Sequence, residues 1–405
     1  MATDAASASQ TPAEVMLTQL RRPGIFIGTD KVDVEDGLTS YERVGKPNKW
    51  DATLLLANVI SNLGRTTKTC LETHEADIKS WDSCKILSAG TMDEELYRDF
   101  EGLRIFDVYH DESLRSATRY KPLDGDVILA TYPKCGSNWT QFIIWNILTR
   151  GKQPHGVGEL GLLSPFIEVA GAEVAAHPAT IGPIVTHLPY SVLKPVDHAK
   201  YVYVARNPYD CAVSMYHFVK GLTPATYTDV SFEKFLSLFL TGKVFYGDYF
   251  DHVLPWYENR HKSNVLFVTY EQLKADTKGM ILKIAHFLGD EHGASLRNND
   301  TLLQRILDNC SIDSMRAFLT DPLLDRLKKI AKVASEKQYK SFKLFENPRQ
   351  VNVQMHEGAG FVRKGIVGDW KNCFTQEQVE RTKKWIAAKT RESDVMSLWH
   401  DLCLP

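Results

Sequence analysis

The residues best suited to chemistry lie in the polar segment Pro133–Asn138, which joins an apolar run to a helical one. The run before it, Val127–Ala130, is short, apolar and partly β-branched, which is typical of a strand buried in a parallel sheet. After it, Thr140–Arg150 has the broad apolar face of a helix, and Ser137 or Asn138 is expected to cap that helix. Free N–H groups at a helix start, beside a lysine, make an anion site that best suits a phosphate.

This segment differs from the common nucleotide-binding loop. The pattern G-x-x-x-x-G-K-[ST] places a lysine after its second glycine, followed by a hydroxyl that holds Mg²⁺. Here Lys134 precedes Gly136, which lets the backbone turn tightly. The order argues against a nucleotide kinase or another NTPase. A tight strand-to-helix connection without a ligand remains the alternative, because a glycine and a capping residue suit any such turn.

Polar residues follow each of four predicted strands. Short apolar strands that alternate with helices predict an α/β fold with a central parallel sheet and helices on both faces. In such sheets ligands bind beyond the carboxyl ends of the strands. The predicted strands are 127–130, 184–186, 201–205 and 265–268, and the polar residues after them are Lys134, His187, Arg206 and Tyr270.

Two of these residues suggest specific roles. An imidazole has an unperturbed pKa of about 6.5, so His187 can accept a phenol or alcohol proton near neutral pH. A lone histidine after a strand is also often structural. Arg206 and Ser214 lie at the end of a strand and two helical turns later, so both can reach one anion. A guanidinium binds phosphate through two hydrogen bonds and a hydroxyl adds a third.

Composition restricts the class of protein. The 405 residues are 43% apolar and carry a formal charge of -2, with no basic excess that would indicate a nucleic acid or an anionic membrane as partner. Seven scattered cysteines without C-x-x-C spacing favour a reducing compartment and no zinc site. There is neither a signal-peptide pattern nor an 18-residue apolar run. We therefore expect a cytoplasmic protein without a membrane segment or a metal.

The N-terminal part differs in character from the rest. Residues 1–20 are small and polar, which predicts a disordered leader, and 21–91 are predicted to form a helical extension. Within it, 25–87 weakly resemble the start of a Gag-type capsid domain of retrotransposons, which implies assembly rather than catalysis. Three interpretations are open: a domesticated interaction module, a remnant left by an insertion or a faulty gene model, and an unrelated helical extension. We favour the remnant. Met92 begins a separate domain, 92–405.

Five motifs in the domain 92–405 resemble those of cytosolic sulfotransferases. In chain order they are TYPKCGSNW, THLP, YVYVARNPYDCAVSMYHF, VLFVTYEQLKAD and FVRKGIVGDWKNCFT. The resemblance implies a P-loop-like sulfotransferase fold. It also implies a reaction without a metal, in which the sulfuryl group of 3′-phosphoadenosine 5′-phosphosulfate (PAPS) is transferred to a small molecule. The implied acceptor is a hydroxyl or amine of a phenol, alcohol, steroid or similar hydrophobic compound.

The resemblance also implies roles for individual residues. His187 would deprotonate the acceptor, which attacks sulfur in line, while Lys134 stabilises the departing bisphosphate. Phe218 would line the acceptor pocket. The implied donor-binding residues are Lys134, Cys135, Gly136, Ser137 and Asn138 for the 5′-phosphosulfate, Trp139 and Tyr270 for adenine, and Arg206, Ser214, Arg363, Lys364 and Gly365 for the 3′-phosphate.

Four positions depart from the family pattern. Val185 stands where the family commonly has a lysine, and Cys135 replaces a serine. Ile312 stands where an aromatic residue usually completes the adenine site. Gln376 replaces a valine in the family's dimer motif, so a homodimer is possible but its contact is altered. These departures leave a second reading open: a weak or inactive member of the family that binds small molecules.

Overall fold

The computed structural model describes residues 97–106, 109–222, 230–321, 323–336 and 363–405. All of them belong to one unit of the chain, Asp93–Pro405. The predicted leader 1–20 and the helical extension 21–91 lie outside the described residues, so both stay predictions.

A central parallel sheet organises the described residues, and it is preceded by an antiparallel hairpin. The hairpin consists of β1 (Tyr97–Phe100) and β2 (Leu103–Phe106). The sheet consists of β3 (Val127–Thr131), β4 (Ile184–Thr186), β5 (Lys200–Ala205) and β6 (Val265–Thr269), in the spatial order β4-β3-β5-β6. All three strand pairs are parallel. The predicted α/β class and the four predicted strands are confirmed.

Helices surround the sheet and connect its strands. They are α1 (Asp111–Thr118), α2 (Ser137–Leu148), α3 (Val157–Leu163), α4 (Ile167–Ala170), α5 (Ala172–Ala175), α6 (Tyr190–Leu193), α7 (Pro208–Leu222), α8 (Phe232–Leu240), α9 (Tyr249–Glu258), α10 (Tyr270–Ala275), α11 (Thr277–Leu288), α12 (Asp290–Arg297), α13 (Asp300–Asn309), α14 (Ile312–Phe318), α15 (Leu323–Glu336) and α16 (Gln376–Lys389). Two 3₁₀ helices lie at Asp369–Asn372 and Val395–Leu402. Within the described ranges, no helix is both long enough and apolar enough to cross a membrane.

Both faces of the sheet are buried, as the apolar strand sequences require. On one face Leu129 and Val202 belong to the same core cluster as Ile143 of α2. On the other face Tyr203 of β5 stacks on Trp256 of α9, with ring centres 5.0 Å apart. Because each strand is covered on both sides, polar side chains reach solvent only where the strands end.

The glycine-rich segment 151–161 is not the plain connection that its composition suggests, because α3 begins within it. Gly158 and Gly161 lie where α3 meets α15. A Cβ atom on Gly158 would lie 2.8 Å from the carbonyl oxygen of Lys329, and one on Gly161 would lie 2.4 Å from Ile330 Cδ1. The glycines therefore allow close helix packing, which no local sequence signal distinguishes from a loop.

Candidate active site

The segment between β3 and α2 forms a tight turn at the predicted anion site. Lys134 and Gly136 both have left-handed backbone conformations, with φ of 70° and 103°. Gly136 also lies close to an aromatic ring, because a Cβ atom there would be 2.8 Å from Tyr270 Cδ2. Both the conformation and the contact explain the glycine.

The start of α2 differs from the sequence prediction in a way that favours a ligand. Gly136 is the N-cap residue and no side chain caps the helix, so the expected cap by Ser137 or Asn138 is wrong. Among the described residues, no protein acceptor takes the N–H groups of Ser137, Asn138 and Trp139. Since side-chain caps would have used these donors, their absence leaves the helix start open to an anion. The Cys135 side chain is fully buried, 3.9 Å from Cys211 Sγ, and faces away from this site.

The Lys134 ammonium lies among other groups of the predicted site. Its Nζ atom is 3.9 Å from the centre of the Phe218 ring. Burial and the neighbouring Arg206 guanidinium lower the pKa of Lys134 to about 7. No carboxylate of the described residues forms an ion pair with Lys134, so its ammonium can pair with an anionic ligand.

Arg206 follows β5 and is only 7% exposed. Its guanidinium donates to the carbonyl oxygens of Lys134 and Ile366, at 3.3 and 3.2 Å, and lies 4.5 Å from the centre of the Tyr270 ring. Its Nε is buried and lacks a partner among the described residues. On α7, the half-buried Ser214 hydroxyl likewise has no hydrogen-bond partner in the part of the chain described. Both groups can donate to a ligand.

The segment that begins at Arg363 approaches Tyr270 through Gly365. Arg363 and Lys364 both donate to the carboxylate of Asp369, the lysine at 2.7 Å. Burial favours the neutral acid, but the hydrogen bonds from Lys364, Asn372 and Arg363 hold the pKa of Asp369 well below its usual range. A Cβ atom on Gly365 would lie 2.2 Å from Ile312 Cδ1 and 3.9 Å from the Tyr270 hydroxyl.

The predicted adenine contacts also lie together. The rings of Trp139 and Tyr270 meet edge to face with centres 5.6 Å apart. The indole N–H of Trp139 donates to the carbonyl oxygen of Cys310 at 2.8 Å, which fixes the ring beside Ile312 at the start of α14. Tyr270 therefore lies beside Gly136, Trp139 and Arg206 of the predicted donor site.

His187 follows β4 and has a defined proton position. Its Nδ1 lies 2.8 Å from the carbonyl oxygen of Thr131. Because a carbonyl oxygen only accepts, Nδ1 carries the proton and Nε2 keeps its lone pair. Burial lowers the pKa of His187 to about 3, the bond to Thr131 offsets part of that effect, and the charges of His252 and Lys134 lower it further. The imidazole is thus a neutral base.

Aromatic side chains connect His187 with Phe218. The His187 ring lies 5.1 Å from that of Phe166 and 5.3 Å from that of Tyr246. Tyr246 contacts Phe245 at 5.9 Å, and Phe245 lies 6.1 Å from Phe218. These rings make an apolar wall between the base and the Lys134 side of the site, which suits a flat hydrophobic molecule.

Sequence reasoning missed the acidic residues that support these groups. Glu168 accepts a hydrogen bond from the His187 N–H. Asp210 accepts from the N–H groups of Gly368 and Trp370, at 2.7 and 3.0 Å. The available signal for Glu168 was a lone acid within the apolar run SPFIEVAGA. Among the described residues, no three His, Cys, Asp or Glu side chains cluster in a way that could hold a metal ion.

Comparisons with known proteins identify the family. The model of the sulfotransferase domain matches residues 124–322 and 318–394. Sulfotransferase 1B1 of Mus musculus is 32% identical over 65% of this chain and 81% of its own length. The 3-beta-hydroxysteroid sulfotransferase of Cavia porcellus is 32% identical over 70% of this chain and 91% of its own. The amine sulfotransferase of Oryctolagus cuniculus is 30% identical over 68% and 84%.

A solved structure agrees with these relatives. Mouse sulfotransferase SULT7A1, complexed with PAP, is 28% identical and superposes with a TM-score of 0.56 over 76% of this chain and 98% of its own. Retinol dehydratase, at 22% identity and a TM-score of 0.51, shares the fold. The likeness of 25–87 to a Gag-type segment is addressed by none of these comparisons. Both the domain match and the motifs make this chain a member of the sulfotransferase family.

Proposed function

We propose that this protein transfers the sulfuryl group of PAPS to a hydroxyl or amine of a small hydrophobic acceptor. The observation that carries the proposal is that a neutral imidazole and a lysine beside an uncapped helix start lie at the ends of neighbouring strands. His187 follows β4 and Lys134 follows β3, and the two strands are paired. That SULT7A1 was solved with PAP supports the choice of donor.

In this proposal the donor lies across the helix starts and the Tyr270 ring. The amides of Gly136–Trp139 and the Lys134 ammonium bind the 5′-phosphosulfate. Arg206 and Ser214 donate to the 3′-phosphate, joined by the segment Arg363–Gly365. Adenine lies against Trp139 and Tyr270, and such stacking contributes about 1–3 kcal/mol per base. Ile312 supplies an aliphatic contact in place of an aromatic ring.

The chemical step is an in-line displacement at sulfur. His187 Nε2 takes the acceptor proton, and the acceptor oxygen or nitrogen forms a bond to sulfur as the bond from sulfur to the bridging oxygen breaks. Negative charge develops on the departing 3′,5′-bisphosphate, where Lys134 and the α2 amides stabilise it. No covalent enzyme intermediate is required, since positioning and charge stabilisation supply the rate enhancement.

Val185 favours a second candidate function, a binding protein with little or no turnover. Its side chain is 5% exposed and packs into the sheet core, so it offers no charge to the leaving group. Lys134 and the amides must act alone. By analogy with the loss of one oxyanion donor, this lowers the rate by about 10²–10³-fold compared with a homologue that has the lysine.

We further propose a cytoplasmic protein whose acceptors are phenols, alcohols, steroids or amines. The aromatic wall between His187 and Phe218 supports an apolar acceptor. Relatives named as a 3-beta-hydroxysteroid sulfotransferase and an amine sulfotransferase support these classes. The unpaired cysteines of the described residues, Cys135, Cys211, Cys310, Cys373 and Cys403, agree with a reducing compartment.

The test is sulfate transfer from PAPS to a mixed panel of phenols, steroids and amines in the presence of EDTA. We expect turnover by the full chain and a loss of about 10²–10⁴-fold in kcat for His187→Ala, because a positioned base contributes that much. His286→Ala, which removes an exposed histidine from α11, is the matched control. Tight binding of PAP without turnover would favour the binding protein, and failure of both would refute the proposed donor.

A further inference from the structure

The general base is held through its backbone by groups outside the donor site. The strand β4 is bordered by the segment that precedes α4: the Val185 N–H donates to the carbonyl oxygen of Pro165 at 2.8 Å. The next N–H on the same side of the strand belongs to His187. There the bordering chain has already turned into α4, and the Glu168 side chain takes the place of a backbone acceptor, with Oε1 2.5 Å from the His187 nitrogen.

The opposite side of the same residue is also fixed. The His187 carbonyl oxygen accepts a hydrogen bond from His252 Nε2 at 2.9 Å. Because that nitrogen donates, His252 Nδ1 is the acceptor for the Tyr203 hydroxyl, 2.8 Å away. His187 is thus clamped between a carboxyl group on one side and a second histidine on the other.

The surroundings of Glu168 disfavour a charged carboxylate. Its side chain is fully buried, and Oε2 has no hydrogen-bond partner among the described residues. The groups that face it are the His187 N–H, the Tyr246 hydroxyl at 3.2 Å, Thr186 and Tyr109. None of these is a cation that would offset the buried charge.

The residue that contacts Glu168 from the other side is strained. Tyr246 has a backbone φ of 65°, which residues other than glycine rarely adopt. Such a conformation costs on the order of 1–3 kcal/mol. Its ring packs on His187 while its hydroxyl donates to Glu168 Oε1. Glu168, a buried acid without a cationic partner among the groups that face it, and Tyr246, with its strained backbone, therefore both contact His187.

We propose that Glu168 is a positioning residue for the general base. Its carboxyl group fixes the His187 backbone so that the ring keeps its Nδ1–H on Thr131 and presents Nε2 to the acceptor. This inference rests on the proposed function for its effect on rate, whereas its effect on the His187 ring does not depend on turnover.

Glu168 also gives the clamp a pH dependence. Burial raises the pKa of Glu168 to about 7, although hydrogen bonds from His187, Thr186 and Tyr246 oppose the shift. Above that pH the carboxylate makes a charge-assisted bond to the His187 N–H, and below it the bond joins neutral groups and is about half as strong. The rate therefore falls as pH decreases through about 7, well above the value near 3 to which the pKa of His187 is lowered.

The experiment compares Glu168→Gln and Glu168→Leu in the full chain. Glutamine keeps a neutral acceptor oxygen and does not titrate. We therefore expect the kcat of Glu168→Gln to stay, from pH 6 to pH 8, near the value that the wild type has below pH 7, and the acidic decrease near pH 7 to disappear. Leucine leaves the His187 N–H without an acceptor. We expect it to lower kcat by about 10²-fold, the scale of a small misplacement of a reacting group, with the Kd for PAP unchanged.

A readout independent of activity is the long-range ¹H–¹⁵N spectrum of histidine-labelled protein, with the His187 signals assigned by their loss in His187→Ala. We expect the Nδ1–H tautomer of His187 in the wild type and in Glu168→Gln, and its loss in Glu168→Leu. Glu271→Gln, which alters another buried carboxyl group bonded to Asn207, should leave the His187 signals in place.

Three results would overturn the inference. In the first, Glu168→Leu keeps both kcat and the Nδ1–H signal. In the second, it loses PAP affinity and cooperative unfolding together with the rate, which would make Glu168 a general structural residue. If Glu168→Leu does not fold, the pH profile decides: a decrease in kcat near pH 7 that persists in Glu168→Gln overturns the inference. A wild type without turnover but with the expected tautomer change would refute the proposed function and support the positioning role.

Discussion

At the scale of single residues, the proposed function makes donor binding depend on the ionisation of Lys134. In that proposal the lysine must be protonated to offset the phosphosulfate charge, and burial together with Arg206 lowers its pKa to about 7. Below that pH the ammonium is present, and above it the protein must take up a proton when the donor binds. We expect the affinity for PAP to fall by up to about tenfold per pH unit above 7.

The measurement is calorimetric titration with PAP from pH 6 to 9 in buffers of different ionisation enthalpy, which reports proton uptake. Lys134→Arg is the control, because a guanidinium stays charged throughout this range. Its affinity should be lower but nearly independent of pH. An equal pH dependence in wild type and variant would assign the titration to another group.

The residues predicted from sequence share one property, which is their place at the end of a strand. Lys134, His187, Arg206 and Tyr270 follow recognisable apolar runs, so parallel pairing alone brings them to one edge of the sheet. Glu168 has no such position. It reaches His187 because the chain turns at the start of α4, and single-sequence patterns do not encode that turn.

At the scale of elements, Asp210 joins α7 to the segment that carries Arg363 and Lys364. Its carboxylate accepts from two backbone N–H groups of Gly368 and Trp370 and from the Asn207 side chain at 2.9 Å. Asp369, in the same segment, binds both cations. The segment is therefore held by hydrogen bonds within the protein, and in the proposed function this held geometry reduces the ordering cost of donor binding.

We expect Asp210→Asn to weaken PAP binding by about 10–100-fold, because hydrogen bonds to a charged group contribute roughly 1.5–3 kcal/mol. The amide can keep one accepting contact but not both carboxylate bonds. Calorimetric titration with PAP measures the change. Asp251→Asn, on the exposed side of α9, is the matched control and should bind PAP as the wild type does. Unchanged affinity in Asp210→Asn would show that the segment is held by other contacts.

Elements were predicted well where local sequence decides them and poorly where packing decides them. The four strands are clear from their apolar runs. The start of α2 was misplaced because Gly136, rather than a polar side chain, ends the turn. Local sequence does not distinguish the helix α3 from a loop, because Gly158 and Gly161 break the helical pattern although they serve its contact with α15. In both cases a glycine is used for close approach rather than for flexibility.

At the scale of the whole molecule, the site belongs entirely to the second unit of the chain. The sulfotransferase domain match begins at residue 124, and every proposed site residue lies between Lys134 and Gly365. Oligomerisation is a separate question at this scale. Gln376 begins α16 and lies at the exposed surface, so the altered dimer motif stays a prediction.

The last prediction concerns residues 1–91, whose role the sequence leaves open. We expect a chain of residues 92–405 to fold, to bind PAP and to turn over acceptors with the same kcat and KM as the full chain, because every predicted site residue lies between Lys134 and Gly365. Steady-state kinetics of both lengths, each with and without His187→Ala, test this. A folded 92–405 chain that binds PAP but loses turnover would assign residues 1–91 a part in acceptor binding or assembly. A chain that fails to fold would place the domain boundary elsewhere.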